Sequence, residues 1–187
     1  MGRSAGRTPV ETRRQILDAA ARIIRRRGLA TPVSEVAAEA GVSKGGLLYH
    51  FPSKEELLQG LAVDLVKRFR TEVEAAIDHD DPRPGRVARA YLQVSFADSI
   101  DTVGLRDEIS LAAHLMDSPS LHEILQSDSE QWRREIEADG LDPAVTRVVI
   151  AASDGINIGP LWGPILSEED TRKLAQDLIE LTYRGTL

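Results

Sequence analysis

Four side chains able to donate hydrogen bonds lie close together in the first third of this 187-residue chain. They are Lys44, Tyr49, His50 and Lys54. Ammonium, phenol and imidazole groups can bind phosphate oxygens and the acceptor edges of bases. Gly45 and Gly46 lie among them, and a backbone without side chains can approach a surface closely. This combination is suited to contact with a nucleic-acid groove.

These donors are predicted to lie on the second of two short helices. Residues 33–40 and 44–51 have helical character, and Gly41-Val42-Ser43 forms the turn between them. Gly41 suits the left-handed position that ends a helix, and Ser43 can cap the next helix through its hydroxyl. The apolar residues that would close the two helices on each other are Val36, Ala37, Ala40, Val42, Leu47 and Leu48. The pattern is a helix-turn-helix, whose second helix can enter the DNA major groove, although a purely structural pair of helices would share it.

The distribution of charge supports DNA contact at one end of the chain. The net charge is −7, with 23 Lys and Arg against 30 Asp and Glu. Residues 1–54 contain ten Lys and Arg and four Asp and Glu, a net charge of +6, so the remainder carries −13. Phosphate binding requires only a local positive face, and an acidic remainder would be repelled from DNA. A merely solvated charged surface is the alternative interpretation, and it accounts less well for this segregation.

The segment AAEAGVSKGGLLYHFPSKEEL resembles the DNA-binding signature of the TetR family of transcriptional regulators. The resemblance extends from about Arg13 to Leu61. It implies that Lys44 and Tyr49 lie near base edges and that the backbone at the two glycines enters the groove. It also implies phosphate contacts and a helix cap. The complete set of implied DNA-binding residues is Thr31, Ser43, Lys44, Gly45, Gly46, Tyr49, His50 and Lys54.

This chain departs from the family pattern at three positions. Family members often have threonine where this chain has Gly46, tyrosine at Leu48 and a hydroxyl residue at Pro32. The operator sequence therefore does not transfer from the family, and only Thr31 can supply the phosphate contact at the start of the first short helix. The alternative interpretations are that the two lysines are simply solvated and that Tyr49 packs against the protein.

The whole chain is predicted to be all-α, with about nine helices. Thr8-Pro9 with Glu11 begins the first helix as a capping box, with a basic triplet at its end. Ser53 caps a helix of about 25 residues. Further helices are predicted over residues 85–101, 104–116, 119–138, from 143 onward and from 168 onward. Each of these starts carries a capping residue or a proline.

Two domains are predicted from this arrangement. Residues 1–52 form an N-terminal three-helix DNA-binding helix-turn-helix domain, and residues 53–187 form a C-terminal helical ligand-binding and dimerisation domain. Gly159-Pro160 should bend or end the helix that begins at residue 143, before Trp162.

The last two helices are the candidate dimer interface, since a helix-turn-helix usually reads DNA in two copies. The predicted interface residues are Val148, Val149, Ala152, Ile156, Leu174, Leu178 and Leu181. Small residues between 151 and 159 would allow backbones to approach closely. An intramolecular core would use the same residues, but the resemblance implies a four-helix bundle formed by two subunits.

The resemblance also implies a small-molecule effector bound in the second domain. Candidate pocket residues are the aromatic and soft side chains Phe69, Tyr91, Phe96, His114, Met116 and Trp132. Apolar surface with few polar groups is typical of ligand pockets. Ordinary core packing is the alternative interpretation.

Several other classes of protein are disfavoured by the sequence. The chain has no cysteine, which excludes a disulfide scaffold or a thiolate metal site and suggests a reducing cytoplasm. No apolar run approaches the length of about 18 residues that a membrane span requires, and no signal peptide is expected. The four histidines are scattered, and no phosphate loop or nucleophile motif is present. We therefore predict neither an enzyme nor a cofactor nor a metal site.

The sequence thus predicts a cytoplasmic, homodimeric transcriptional regulator. Its expected partners are double-stranded operator DNA and an unidentified small-molecule effector, with no membrane. We predict a repressor that the effector releases from its operator. The alternative is a helical small-molecule-binding or interaction module without DNA binding, which leaves the basic N-terminal segment unexplained.

Overall fold

The computed structural model describes residues 7–100, 119–163 and 165–186. Those residues form eight helices and no strand, which confirms the all-α prediction. The helices are α1 (Pro9–Arg27), α2 (Val33–Glu39), α3 (Lys44–His50), α4 (Lys54–Ala76), α5 (Arg86–Ile100), α6 (Pro119–Ala138), α7 (Pro143–Trp162) and α8 (Glu168–Arg184). The helix predicted over residues 104–116 lies outside the described residues.

The helix starts are where the capping residues predict them. At α1 the Glu11 N–H donates to Thr8 Oγ1 at 3.2 Å and the Thr8 N–H donates to Glu11 Oε2 at 2.7 Å, which completes the capping box. Asp142 and Ser167 accept hydrogen bonds from backbone N–H groups in the first turns of α7 and α8. Each cap satisfies a donor that the helix itself leaves free.

The bend or end predicted at Gly159-Pro160 is not a helix end. Gly159-Pro160 does not end α7, which continues to Trp162. Proline removes one backbone hydrogen bond, and a helix of 20 residues retains the others. The helix ends instead at Gly163, whose φ of +93° is accessible mainly to glycine.

Residues 7–66 and 119–125 form one compact unit. Its core joins α1, α2, α3 and the first part of α4, and among its fully buried side chains are Ile16, Ile24, Leu47, Phe51 and Leu57. Gly41 has the predicted left-handed conformation, with φ of +64°. Gln15 Nε2 donates to the Ala40 carbonyl at 2.7 Å and so ties α1 to this turn. The turn between α2 and α3 is therefore held by the conformation of Gly41 and by the hydrogen bond from Gln15.

The arginines at the end of α1 pair with the acidic side of α2. Arg22 and Arg26 contact Glu39 at 3.3 and 3.0 Å, and Arg27 contacts Glu35. These side chains are largely exposed, and each exposed pair contributes only about 0–1 kcal/mol. These ion pairs link α1 to α2. They also neutralise part of the positive charge of the N-terminal segment.

Gly60 allows α4 to pack closely in this first unit. A Cβ at this position would lie 2.7 Å from Phe51 Cε1 and 3.3 Å from Leu17 Cδ2. Phe51 is buried, so it has little room to move. We expect Gly60→Ala to lower the free energy of unfolding by about 1–3 kcal/mol, although alanine favours a helix by about 0.5–1 kcal/mol. Chemical denaturation measures the change.

The matched control for Gly60→Ala is Gly45→Ala in α3. A Cβ at Gly45 meets nothing within 4 Å. This change should leave stability unaltered or raise it by up to about 1 kcal/mol. Equal stability of the two variants would contradict the packing role of Gly60.

Residues 67–100 and 126–186 form the second compact unit. Its larger core cluster lies among α5, α6, α7 and α8, with Leu92, Ile136, Val145, Val149 and Leu178 among the buried side chains. The remainder of α4 packs with α5 and α6 in a smaller cluster around Val73 and Trp132. The helix α4 contributes residues to both units, and the division into two domains after residue 52 stays a prediction.

Asp139 caps α5 from the loop between α6 and α7. Its Oδ2 accepts hydrogen bonds from the N–H groups of Val87 and Ala88 at 2.8 and 3.1 Å. The Gly85 N–H donates to the Asp139 carbonyl at 3.0 Å. A residue more than fifty positions away thus satisfies the start of this helix.

A buried ion pair follows α4. Arg89 Nη2 lies 3.0 Å from Asp81 Oδ2, and the side chains of both residues are almost fully buried. Arg83 also contacts Asp81, at 2.7 Å, but its side chain is exposed. Both guanidinium groups lie over the ring of Tyr183, at 4.4 Å for Arg89 and 4.1 Å for Arg83. The side-chain hydrogen bond from Arg83 is the main reason that the pKa of Asp81 is lowered to about 2.

Candidate functional site

The outer face of the helix α3 is exposed to solvent. Ser43 Oγ accepts a hydrogen bond from the Gly46 N–H at 3.0 Å and caps the helix. Leu47 is fully buried and anchors the inner face. Lys44 is exposed at the first position, and Tyr49 is 80% exposed. A ring of this size with so much exposed surface is not packed against the protein.

His50 and Lys54 lie beside this exposed face. The ring of His50 is half-buried and meets the Tyr49 ring edge to face, with 5.1 Å between centroids. Lys54 is half-buried at the first position of α4. Gly45 is exposed, and Gly46 is half-buried above the Ser43 cap. The predicted residues from 43 to 54 therefore lie on one helix and at the start of the next.

Thr31 is not placed as the sequence predicted. Its side chain is buried, and its hydroxyl donates to the Gly28 carbonyl at 2.8 Å. The helix cap is Pro32, which has no hydroxyl to accept a hydrogen bond. Because the loop folds the threonine back onto the end of α1, its side chain is not exposed for a phosphate contact.

Three of the predicted pocket residues come together in the second unit. The rings of Phe69, Tyr91 and Trp132 are mutually edge to face, with centroids 5.2–5.9 Å apart. Aromatic pairs favour this geometry because the positive ring edge meets the negative face. The guanidinium of Arg70 covers the Trp132 ring at 4.2 Å. Arg70 also pairs with Asp128 and, at 2.9 Å, with Glu135.

The other predicted pocket residues do not join this aromatic group. Phe96 belongs to the larger core cluster, and it lines an open groove of about 300 Å³ between α5 and α8. The apolar walls of the groove also include Leu92, Ala175 and Ile179. His114 and Met116 lie outside the described residues.

The second unit contains buried polar groups without partners among the described residues, and two groups whose pKa values are raised. Burial, followed by the charges of Asp154 and Asp128, raises the pKa of Tyr91 to about 12, so its hydroxyl stays protonated. Partial burial also raises the pKa of Asp154. Among the described residues, the buried hydroxyls of Ser95 and Ser153 and the indole nitrogen of Trp132 have no hydrogen-bond partner. Such groups are costly unless a water or a ligand satisfies them.

Asp154 was not predicted from the sequence, although a signal was present. It is the only charged residue between Arg147 and Glu168. A single carboxylate in an otherwise uncharged run is a distinctive sequence feature, and the structure leaves this side chain exposed. Ser95 and Ser153 carry no comparable signal, because serine is common in helices of every environment.

The predicted dimer residues divide between the core and the surface. Val149 and Leu178 are buried within the chain's own core, so they have no surface for a partner. Val148 is 37% exposed. The half-buried residues are Ala152, Ile156, Leu174 and Leu181. The intramolecular alternative thus holds for Val149 and Leu178, and in part for these four, which pack against the same core cluster.

One face of α7 is uncharged and accessible. It carries Ala144, Val148, Ala151, Ala152 and Gly155, which are exposed or half-buried. A Cβ added at Gly155 would meet nothing within 4 Å. Ala152 also packs against the chain's own core, whereas Val148, Ala151 and Gly155 are exposed.

Two family models match this chain, one for each part of the fold. The model described as "Tetracyclin repressor-like, C-terminal domain" matches residues 85–183, and that described as "Bacterial regulatory proteins, tetR family" matches residues 16–61. The chain belongs to the TetR family. The two TetR matches cover the helix-turn-helix and nearly all of the helices that follow α4.

Two curated relatives of this TetR-family chain are named as regulators of transcription. The HTH-type transcriptional repressor KstR2 of Rhodococcus jostii is 31% identical over 134 residues, 67% of this chain and 64% of the relative. The HTH-type transcriptional regulator TtgR of Pseudomonas putida is 37% identical over 86 residues, 45% of this chain and 41% of the relative. The chain therefore spans less than two thirds of the length of either.

Solved structures support the same TetR fold. The multidrug binding protein EbrR complexed with malachite green is 26% identical with a TM-score of 0.66, over 94% of this chain and 98% of that one. A member of the TetR family from Streptomyces coelicolor is 26% identical with a TM-score of 0.66, over 90% and 98%. Across the described ranges, no helix combines the length and apolar character needed to cross a bilayer.

Proposed function

We propose that this chain is a homodimeric, sequence-specific DNA-binding regulator of transcription in the cytoplasm. It acts as a repressor and leaves its operator when a small molecule binds the second unit. The observation that carries the proposal is the outer face of α3, where Lys44 and Tyr49 project from a helix anchored by the buried Leu47. An aromatic ring is usually shielded from solvent, so a largely exposed ring needs an explanation. Beside an exposed cation, such a ring is suited to contact base edges in a DNA groove.

The helix α3, as the recognition helix, is suited to enter the DNA major groove with its first turn. Lys44 is at its N-terminal end, which is the part of such a helix that contacts base edges. His50 and Lys54 lie further along and can donate to phosphates. Because α1 already pairs three arginines with α2, these donors supply the positive charge nearest to the groove.

Two copies are required for a full operator. Half-sites read by paired helix-turn-helix units lie about 34–36 Å apart. The uncharged face of α7 around Val148 and Gly155 supports dimerisation, since its small side chains permit close helix contact. The relatives named as transcriptional regulators support the same role.

Fluorescence anisotropy of duplexes from the chain's own upstream DNA tests the proposal. We expect specific binding that weakens steeply with salt. Lys44→Ala should cost about 1–3 kcal/mol of specific binding. Lys173→Ala, at an exposed lysine of α8, should bind as the parent does. Binding that is absent, or indifferent to sequence, would support the alternative of a helical module without DNA binding.

The effector is proposed to be an aromatic cation. EbrR is described in complexes with ethidium and with malachite green, at 26% identity to this chain. In the second unit, the Tyr91 ring lies near Asp154, an exposed carboxylate whose pKa is raised by partial burial. Aromatic rings and an uncompensated carboxylate attract cations.

Ethidium titration of the protein without DNA tests this effector class. We expect Asp154→Asn to weaken ethidium binding by about tenfold, because it removes the negative charge. Asp177→Asn, at an exposed acid of α8, is the control and should bind normally. Isothermal titration calorimetry gives both affinities, and equal affinities for the two variants would contradict the role of Asp154.

A further inference from the structure

We propose that this protein recognises its operator chiefly through DNA shape, with Lys44 and Tyr49 as the two side chains of α3 that read bases directly. The inference rests on the proposed function, since it concerns how the same helix selects its DNA. It follows from the side chains that α3 presents, all of whose residues are described.

Most of the recognition helix has no side chain available for reading bases. The residues concerned are Gly45, Gly46, Leu47, Leu48 and His50. The glycines have no side chain, the leucines pack against the core cluster, and the histidine is half-buried beside the exposed tyrosine. Ser43 at the helix cap already accepts a hydrogen bond from the backbone. Only Lys44 and Tyr49 remain as exposed side chains of α3.

These two side chains carry limited base information. Arginine, asparagine and glutamine read purines through two hydrogen bonds at once, and α3 has none of them. Lys44 can reach the O6 and N7 acceptors of one guanine, and the Tyr49 ring can contact one thymine methyl. Direct reading therefore covers about two base pairs in each half-site.

Gly45 supports the same conclusion from the backbone. It is exposed, its φ is not positive, and a Cβ there would meet nothing within 4 Å. Glycine inside a helix is unfavourable relative to alanine, so the fold of the chain gives no reason for this residue. A helix that lies directly against the floor of a groove gives such a reason.

Close backbone approach makes binding sensitive to groove width. DNA whose groove does not match the helix must be deformed, and the cost of deformation depends on base sequence. Base pairs that no side chain touches then contribute to selectivity. The shape of the DNA groove then provides the sequence discrimination that the few exposed side chains of α3 do not provide.

The test begins with selection of bound duplexes from a random library by the full-length protein. In the selected site, each guanine is then replaced in turn by 7-deazaguanine or by inosine. The first removes the N7 acceptor in the major groove, and the second removes only the N2 amine in the minor groove. We expect 7-deazaguanine to weaken binding about tenfold at no more than one position per half-site. Inosine should alter binding about fivefold at positions outside these.

Gly45→Ala is the protein variant for the same test. It should weaken binding to the selected site by about tenfold while thermal stability is kept or raised. Tyr49→Phe should retain the selected sequence, and Tyr49→Ala should lose preference at one thymine. Unchanged affinity in Gly45→Ala would overturn the inference.

The outcomes separate this inference from the proposed function. Selection of no sequence above the random background would contradict the proposed function and this inference with it. Strong selection, with 7-deazaguanine harmful at two or more positions per half-site and inosine silent, would overturn only the inference.

Discussion

Replacing Val148 with glutamate is expected to separate the dimer into monomers and to weaken operator binding by about 10²–10⁴-fold. Val148 is at the centre of the uncharged face of α7. A glutamate there would place two carboxylates in an apolar contact, where an unpaired charge is strongly unfavourable. The loss of affinity follows because each helix-turn-helix would then bind alone, without the gain that linked binding provides. Analytical ultracentrifugation measures the oligomeric state, and anisotropy measures DNA affinity.

Val63→Glu is a matched control for this substitution. Val63 is on α4 and is 37% exposed, the same fraction as Val148. The control variant should remain dimeric, and both proteins should keep the helical circular dichroism of the parent. A Val148→Glu protein that is still dimeric at micromolar concentration would show that the interface lies elsewhere.

Replacing Arg89 with methionine is expected to lower the free energy of unfolding by about 1–3 kcal/mol. The Arg89 guanidinium donates to Asp81 Oδ2 at 3.0 Å and to the Pro84 carbonyl at 2.8 Å. It also lies over the Tyr183 ring. Methionine fills similar space but leaves the buried Asp81 carboxylate and the Pro84 carbonyl without these donors. Urea denaturation monitored by circular dichroism gives the change in stability.

The variant Arg83→Met is the control that separates the effect of burial from the effect of ion pairing with Asp81. Arg83 has the same carboxylate partner and the same aromatic ring, but its side chain is 58% exposed. Exposed ion pairs contribute little because solvent screens them. This variant should therefore lose less stability than Arg89→Met, although it also removes the hydrogen bond that lowers the pKa of Asp81. If both arginine variants lost equal stability, burial would not be the reason for the strength of the Arg89 contact.

Local signals in the sequence are sufficient for the elements that carry the DNA-binding face. Helix caps depend on a single residue and its neighbours, so Thr8, Ser43 and Asp142 mark helix starts that the structure has. The turn at Gly41 is equally local, because its left-handed conformation selects glycine. The structure does not support the phosphate contact implied for Thr31, because the loop turns its hydroxyl toward the Gly28 carbonyl.

Features that depend on contacts between distant residues could not be predicted in this way. A helix that is apolar on two faces does not indicate which face is internal, so Val148 and Val149 are equivalent in the sequence pattern. The pairing of Arg89 with Asp81 and of Arg70 with Asp128 requires the tertiary placement of several elements. The surroundings of these charges, and hence their energies, cannot be obtained from periodicity.

Hydroxyl-radical footprinting of the chain's upstream DNA tests the central claim most directly. We predict two protected segments on one face of the duplex, centred about one helical turn apart, which disappear together in Val148→Glu. We also predict that Lys44→Ala weakens both segments equally. Protection of a single segment, or of no segment at micromolar protein, would contradict the proposal that two helix-turn-helix units bind one operator.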